Sequence, residues 1–176
     1  MDFRNAFNLV DRTSMLGAVA RWMPELMPYA LWAYGSKTPL LFKGAFDKLW
    51  SSTGVQQGDP LGPLLFCLGL KPLIDRIDEE FAGELRFHAW YLGDGSLVCP
   101  AHVADEVLDL IDKEGPSLGL FLNYDKTEVC WLDGTAGSAP ELAKLSSAAK
   151  HTTPRPTYWA PRSAQPTTSP RGSDAR

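Results

Sequence analysis

Carboxylates at Asp2 and Asp94, a ring at Phe7, a glycine-bearing loop through Gln57 and Gly58, and an ammonium at Lys126 are the side chains with the most chemistry to offer. Carboxylate oxygens suit hard divalent cations such as Mg²⁺, which take oxygen ligands and keep several waters. An ammonium can neutralise developing negative charge. Each residue also has an ordinary explanation. Gly93-Asp94-Gly95 between two β-type runs predicts a two-residue hairpin turn. Gly54 to Pro60 reads equally as a turn before a helix that Asp59 caps, with Pro60 at its first position. Phe7 reads as a core aromatic and Lys126 as a solvated lysine ahead of a strand. His88 and His102 fit no metal spacing. Three cysteines at wide, unpatterned intervals (Cys67, Cys99, Cys130) exclude a disulfide framework and a zinc site, and predict reduced, buried thiols.

The elements that must position these groups follow from periodicity. Asp11 or Ser14 caps a helix running to about Trp22, and Pro24 opens a second that ends before Gly35. Leu40 to Phe42 and Ala45 to Trp50 predict short strands around a Lys43-Gly44 turn. Leu70, Leu73, Ile74, Ile77 and Phe81 recur at helical spacing, so a helix is expected from Leu61 to about Glu80. Leu85 to Tyr91 and Ser96 to Cys99 are β-type, and Val103, Val107 and Ile111 mark one face of a helix stopped by Gly115-Pro116. Glu128 to Leu132 predicts a last strand. Strands and helices mix without regular βαβ repetition, which predicts an α+β fold.

Composition divides the 176 residues into two parts, 1–133 and 134–176. The first has ordinary globular composition and a net charge of −8. The second carries +4 and is rich in Ser, Thr, Ala, Pro, Gly and Arg. It cannot bury enough apolar surface to offset its ordering entropy and is expected to be a disordered tail, with a short helix over Glu141 to Lys150. No apolar run reaches the ~20 residues that span a bilayer, and no secretory signal is visible. An acidic body is not the electrostatic profile of a free-standing nucleic-acid binder.

Four segments, in order, resemble the motifs of reverse transcriptases (RNA-directed DNA polymerases) of the non-LTR retrotransposon type. They are Asp2-Phe3-Arg4-Asn5-Ala6-Phe7-Asn8, Gly54-Val55-Gln56-Gln57-Gly58-Asp59-Pro60-Leu61-Gly62-Pro63-Leu64-Leu65-Phe66, Tyr91-Leu92-Gly93-Asp94-Gly95-Ser96-Leu97 and Gly119 to Glu128. The resemblance implies a right-hand-polymerase palm, an antiparallel sheet packed on helices, over residues 1–133. It implies RNA-templated DNA synthesis with Mg²⁺, and an RNA template, a DNA primer and deoxynucleoside triphosphates as partners. Asp2 and Asp94 then match metal ligands, Phe7 the aromatic that packs under the sugar, Gln57 and Gly58 the loop abutting nucleotide and template, and Lys126 the residue facing the leaving pyrophosphate.

One departure bears on activity. The resembled third motif is Tyr-x-Asp-Asp, and its first Asp falls on Gly93, which has no side chain. Two carboxylates carry −2 where −3 is implied. At an effective dielectric near 20, one lost charge contact at ~4 Å is worth about 4 kcal/mol, on the order of a thousandfold in rate. The fingers precede the first motif in the family and the thumb follows the fourth, so a chain starting at Met1 is expected to lack both. The expectation is an inactive remnant of a retroelement reverse transcriptase that binds Mg²⁺ and nucleic acid weakly, with no membrane association. The second reading is a non-catalytic protein-interaction module on the same fold. Trp22, Trp32, Trp50 and Trp131 are its candidate exposed patches.

Overall fold

The computed structural model describes residues 1–41 and 49–130. The predicted tail, its Glu141–Lys150 helix, Trp131 and the Lys43-Gly44 turn lie outside those residues. The elements are α1 (Ala6–Leu9), α2 (Arg12–Trp22), a 3₁₀ turn (Pro24–Leu26), α3 (Met27–Tyr34), β1 (Thr38–Leu40), β2 (Leu49–Ser51), α4 (Gly62–Glu80), β3 (Phe87–Tyr91), β4 (Asp94–Val98), α5 (Ala101–Glu114) and a 3₁₀ turn (Gly115–Leu118). Two antiparallel pairs, β1–β2 and β3–β4, accompany the helices, so the described fold is α+β.

The core forms where α2 and α5 pack on α4. Val10, Met15 and Val19 meet the stripe of α4 made by Leu65, Phe66, Leu70, Leu73 and Ile77, and Val103, Val107 and Ile111 of α5 are buried with them. Gly69 lets α2 come close: a Cβ there would stand 3.0 Å from Val10 Cγ2 and 3.5 Å from Met15 Cβ. Asp11 caps α2 as expected, accepting a 2.7 Å hydrogen bond from the Ser14 amide.

Several boundaries depart from expectation. The predicted second helix is split, because Pro28 restarts the chain in its own first turn after the Pro24–Leu26 3₁₀ turn. Of the predicted strand 128–132, the described residues show only a single bridge position, at Val129. The cysteines are free but not buried: Cys67 and Cys130 are exposed and Cys99 is half-buried. Cys67 falls between the core positions Phe66 and Leu68 of α4, on the outward side. Trp32 and Trp50 are exposed as expected, whereas Trp22 is half-buried under the cations of Arg21 and Lys71.

A polar network holds the loop between β2 and α4. Arg12, only 5% exposed, donates from Nε to Gly54 O (2.8 Å), from Nη1 to Ser51 O (3.0 Å) and from Nη2 to Ser51 Oγ (2.7 Å), and lies over the Tyr34 ring. Tyr29 and Tyr34 donate their hydroxyls to the two oxygens of Asp59 (2.7 and 2.5 Å), and the Gln56 amide donates to Tyr34 Oη (3.1 Å). Asp59 therefore does not cap α4 as its N-cap residue. It accepts from the Leu61 amide (2.9 Å) in a local turn, the helix starts at Gly62, and Pro63 rather than Pro60 occupies the first turn. Burial alone would raise the Asp59 carboxyl, but the two hydroxyls and the Leu61 and Gly62 amides outweigh it and hold it below the usual carboxylate range.

Two outcomes test this network. Arg12→Lys supplies one ammonium where a planar fork reaches three acceptors, and should lower stability by about 2–3 kcal/mol in urea unfolding. Burial first, and the bond to Asp59 second, push the Tyr34 hydroxyl up to about 12 from an ordinary value of 10.0. A raised folded value means the contribution is complete below pH ~10 and is lost as pH climbs toward ~12. Thermal melts of Tyr34→Phe between those limits should show that part of the alkaline destabilisation removed.

Candidate functional site

The first residues of the chain form the middle of an antiparallel arrangement. On one side Asp2 bridges Asp94 of β4, and on the other Phe3 bridges Leu122. Backbone bonds fix both sides. The Phe3 amide donates to Gly93 O (3.1 Å) and the Gly95 amide to Met1 O (3.0 Å), while the Asn123 amide donates to Asp2 O (2.8 Å) and the Arg4 amide to Phe121 O (2.8 Å). Two carboxylates distant in sequence thus become cross-strand neighbours.

The hairpin that carries Asp94 turns one residue earlier than expected. Tyr91 pairs with Asp94, so the two-residue turn is Leu92-Gly93, and Asp94 opens strand β4 instead of sitting in the loop. Leu92, not a glycine, takes the left-handed conformation (φ 53°). Gly95 is set by packing: a Cβ there would lie 2.4 Å from a ring carbon of Trp90. Trp90 stacks on Phe3 (centroids 6.0 Å apart) and donates its indole N–H to His88 Nδ1 (3.2 Å), while His88 Nε2 lies 2.7 Å from Asp78 Oδ1 of α4. His88 therefore ties the hairpin to α4. His102 stands at the surface, 3.8 Å from Glu84.

An open pocket of about 320 Å³ lies at this junction, lined among others by Asp2, Asn5, Phe7, Gly93, Asp94 and Lys126. Asp2 Oδ2 accepts from Asn123 Nδ2 (3.1 Å) and faces Lys126 Nζ at 3.8 Å. Lys126 itself is largely solvent-exposed, and so is Asp94. Phe7 is half-buried and stacks on Phe66 with centroids 4.8 Å apart. Among the described residues, the non-glycine positions with positive φ are Asn5 (45°) and Leu92 (53°), and both line this pocket. Such strain concentrates at functional sites.

Of the residues singled out in the sequence, Asp2, Asp94, Phe7, Lys126 and Gly93 come together here. Gln57 and Gly58 do not line the pocket and are exposed. Their loop is nonetheless docked beside it, since the Val55 amide donates to Phe7 O (2.7 Å) and the Gly54 amide to Val10 O (2.8 Å). Asn123 and Asn5 were not singled out. The signal for Asn123 is its place in the fourth motif, three residues before Lys126; for Asn5 it is the residue type, since asparagine is enriched among non-glycine residues in the left-handed region.

Comparison with known proteins bears on what this arrangement is. The chain is 33% identical over 162 residues to the retrotransposable element SLACS 132 kDa protein of Trypanosoma brucei gambiense, a match covering 89% of this chain and 14% of that protein. That match supports a retrotransposon-derived, reverse transcriptase-like region. A second relative is the retrovirus-related Pol polyprotein from the type-1 retrotransposable element R2 of Nasonia vitripennis, 37% identical over 84 residues, 46% of this chain and 8% of that protein. No protein-family model matches the chain. The retrotransposon relatives are thus far longer than the region this chain spans.

Within this retrotransposon-related region, the site depends on how closely the hairpin and the first strand approach. Gly95→Ala should force a methyl into the Trp90 ring and lower stability by about 1–3 kcal/mol, measured by thermal or urea unfolding. Because Trp90 also packs on Phe3, the change should quench or shift the Trp90 emission in the folded state.

Proposed function

We propose that this chain is the palm of a retroelement polymerase, shaped for RNA-templated addition of deoxynucleotides, and that with Gly93 in place it does not catalyse that reaction. The observation that carries the reading is Asp2 lying across an antiparallel bridge from Asp94, in a pocket that Phe7 and Lys126 also line. In the resembled enzymes those positions hold metal, support the sugar and face the leaving group.

Nucleotidyl transfer of this kind uses two divalent ions about 3.5–4 Å apart. The pocket offers two carboxylates, and one oxygen of Asp2 is already shared between the Asn123 amide and Lys126. No cluster of three His, Cys, Asp or Glu side chains that could hold a metal occurs among the described residues. The residues present do not fit a pair of Mg²⁺ ions. What the pocket retains is an aromatic floor at Phe7, stacked on Phe66, and an exposed ammonium at Lys126 beside Asp2. An RNA template, a DNA primer and a deoxynucleoside triphosphate are the partners of this reading, and the acidic body predicts weak binding to all three.

A second reading, a protein-interaction module, is favoured by the large apolar side chains left exposed, above all Trp32 (80%) and Leu41 (93%). Primer extension on an RNA template with Mg²⁺ or Mn²⁺, comparing the chain with Asp2→Asn, tests the first. The expected outcome is no difference between the two. Template-dependent extension that Asp2→Asn abolishes would overturn it.

A further inference from the structure

The fit between the first strand and the hairpin passes through the Trp90 ring. It stacks on Phe3, with centroids 6.0 Å apart, and presses on Gly95, where a Cβ would stand 2.4 Å from a ring carbon. Those two residues donate the amides that join hairpin to first strand, Phe3 to Gly93 O (3.1 Å) and Gly95 to Met1 O (3.0 Å). The indole N–H is in turn held by His88 Nδ1 at 3.2 Å, while Nε2 of the same imidazole lies 2.7 Å from Asp78 Oδ1. An acceptor at Nδ1 and a donor toward a carboxylate at Nε2 together define one neutral tautomer. Nothing in the chemistry of the pocket calls for a histidine at this place.

We infer that His88 is a proton-operated positioning residue: its neutral ring anchors Trp90, and protonation releases the indole and loosens the strands that bear Asp2 and Asp94. An imidazolium carries N–H at both nitrogens, so no flip of the ring restores an acceptor to the indole. Two donors would then face each other at 3.2 Å, in a partly buried place where an unpaired N–H is costly. The surrounding charges leave that cost standing. Asp78 of α4 favours the imidazolium, but its side chain is half in water and its attraction is screened. Asp75, one turn before it, is engaged by Lys71 at 2.7 Å, and Arg86, two residues along β3 on the ring's side, is exposed. Across the hairpin the neighbour of His88 is the apolar Leu97 of β4. Imidazole ordinarily titrates between pH ~5 and ~8, a range in which carboxylates stay largely charged. The coupling therefore needs no bound ligand, only a proton.

The test is amide hydrogen exchange by NMR on the full chain between pH ~8 and ~5, read as protection relative to each residue's intrinsic rate. On acidification the Phe3 and Gly95 amides should lose about fivefold or more of their protection, with a midpoint shared by the Trp90 indole N–H resonance. The Val107 amide, in the middle of α5, should not follow, which separates the change from general acid unfolding. H88N offers the indole an amide oxygen that does not titrate, and should flatten the response. D78N keeps an acceptor for Nε2 but removes the charge that favours the imidazolium, so its midpoint should fall. Flat protection at Phe3 and Gly95 in the unchanged chain overturns the inference, as does a response that H88N retains or a midpoint that D78N does not lower. Where H88N does not fold, the ring-carbon resonance of His88 in the unchanged chain decides. Its titration should share the midpoint of Phe3 and Gly95, and a separate midpoint also overturns the inference.

Discussion

Like charges on neighbouring strands repel, and the segment Met1–Arg4 holds Asp2 across from Asp94 against that repulsion. Four backbone hydrogen bonds, two to each flank, fix the segment between the hairpin and residues 121–123. Asn123 and Lys126 then supply a donor and a positive charge to one side of the pair. Asp94 faces solvent, where water screens what the protein does not balance. The pocket exists because backbone geometry, which is indifferent to side-chain charge, brings together groups that would otherwise separate.

That geometry is held from below by packing and from beside by a polar scaffold. Trp90 touches the residues that follow both carboxylates, Phe3 after Asp2 and Gly95 after Asp94, so one indole sets the spacing of the two strands. His88 and Asp78 fasten that indole to α4, the longest of the described helices. On the other flank, Arg12, Tyr34 and Asp59 order the loop whose Val55 amide grips the carbonyl of Phe7. The acid Asp59 is thus structural in this fold, although it sits in the most motif-rich stretch of the sequence.

The helices were legible because their apolar spacing survives in the fold almost unaltered: Val103, Val107 and Ile111 face the core as their period demands. The coming together of Asp2, Phe7, Asp94 and Lys126 was legible only through the order of four motifs, since no local pattern links positions more than a hundred residues apart. Local rules misled at two places. Asp94 looked like a turn residue, yet the pairing of Tyr91 with Asp94 and the left-handed Leu92 shifted the turn by one residue, so that Gly93 stays in it and Asp94 opens β4. Asp59-Pro60 looked like a helix cap, but the hydroxyls of two tyrosines of α3 and the Leu61 amide claim the carboxylate. Hydroxyl-to-carboxylate bonds across 25 or 30 residues have no periodicity to betray them.

Strand β4 has a neighbour on both sides, β3 on one and Met1–Arg4 on the other, whereas β3 pairs only with β4 among the described strands. Its outward residues Phe87, Ala89 and Tyr91 are exposed, so among the described residues β3 joins a row of amides and carbonyls with no strand beside it to an oily face. Natural sheets blunt such margins with lysine, proline or a bulge, and β3 contains no lysine or proline. In a concentrated solution, this margin is where one copy of the chain would template onto the next.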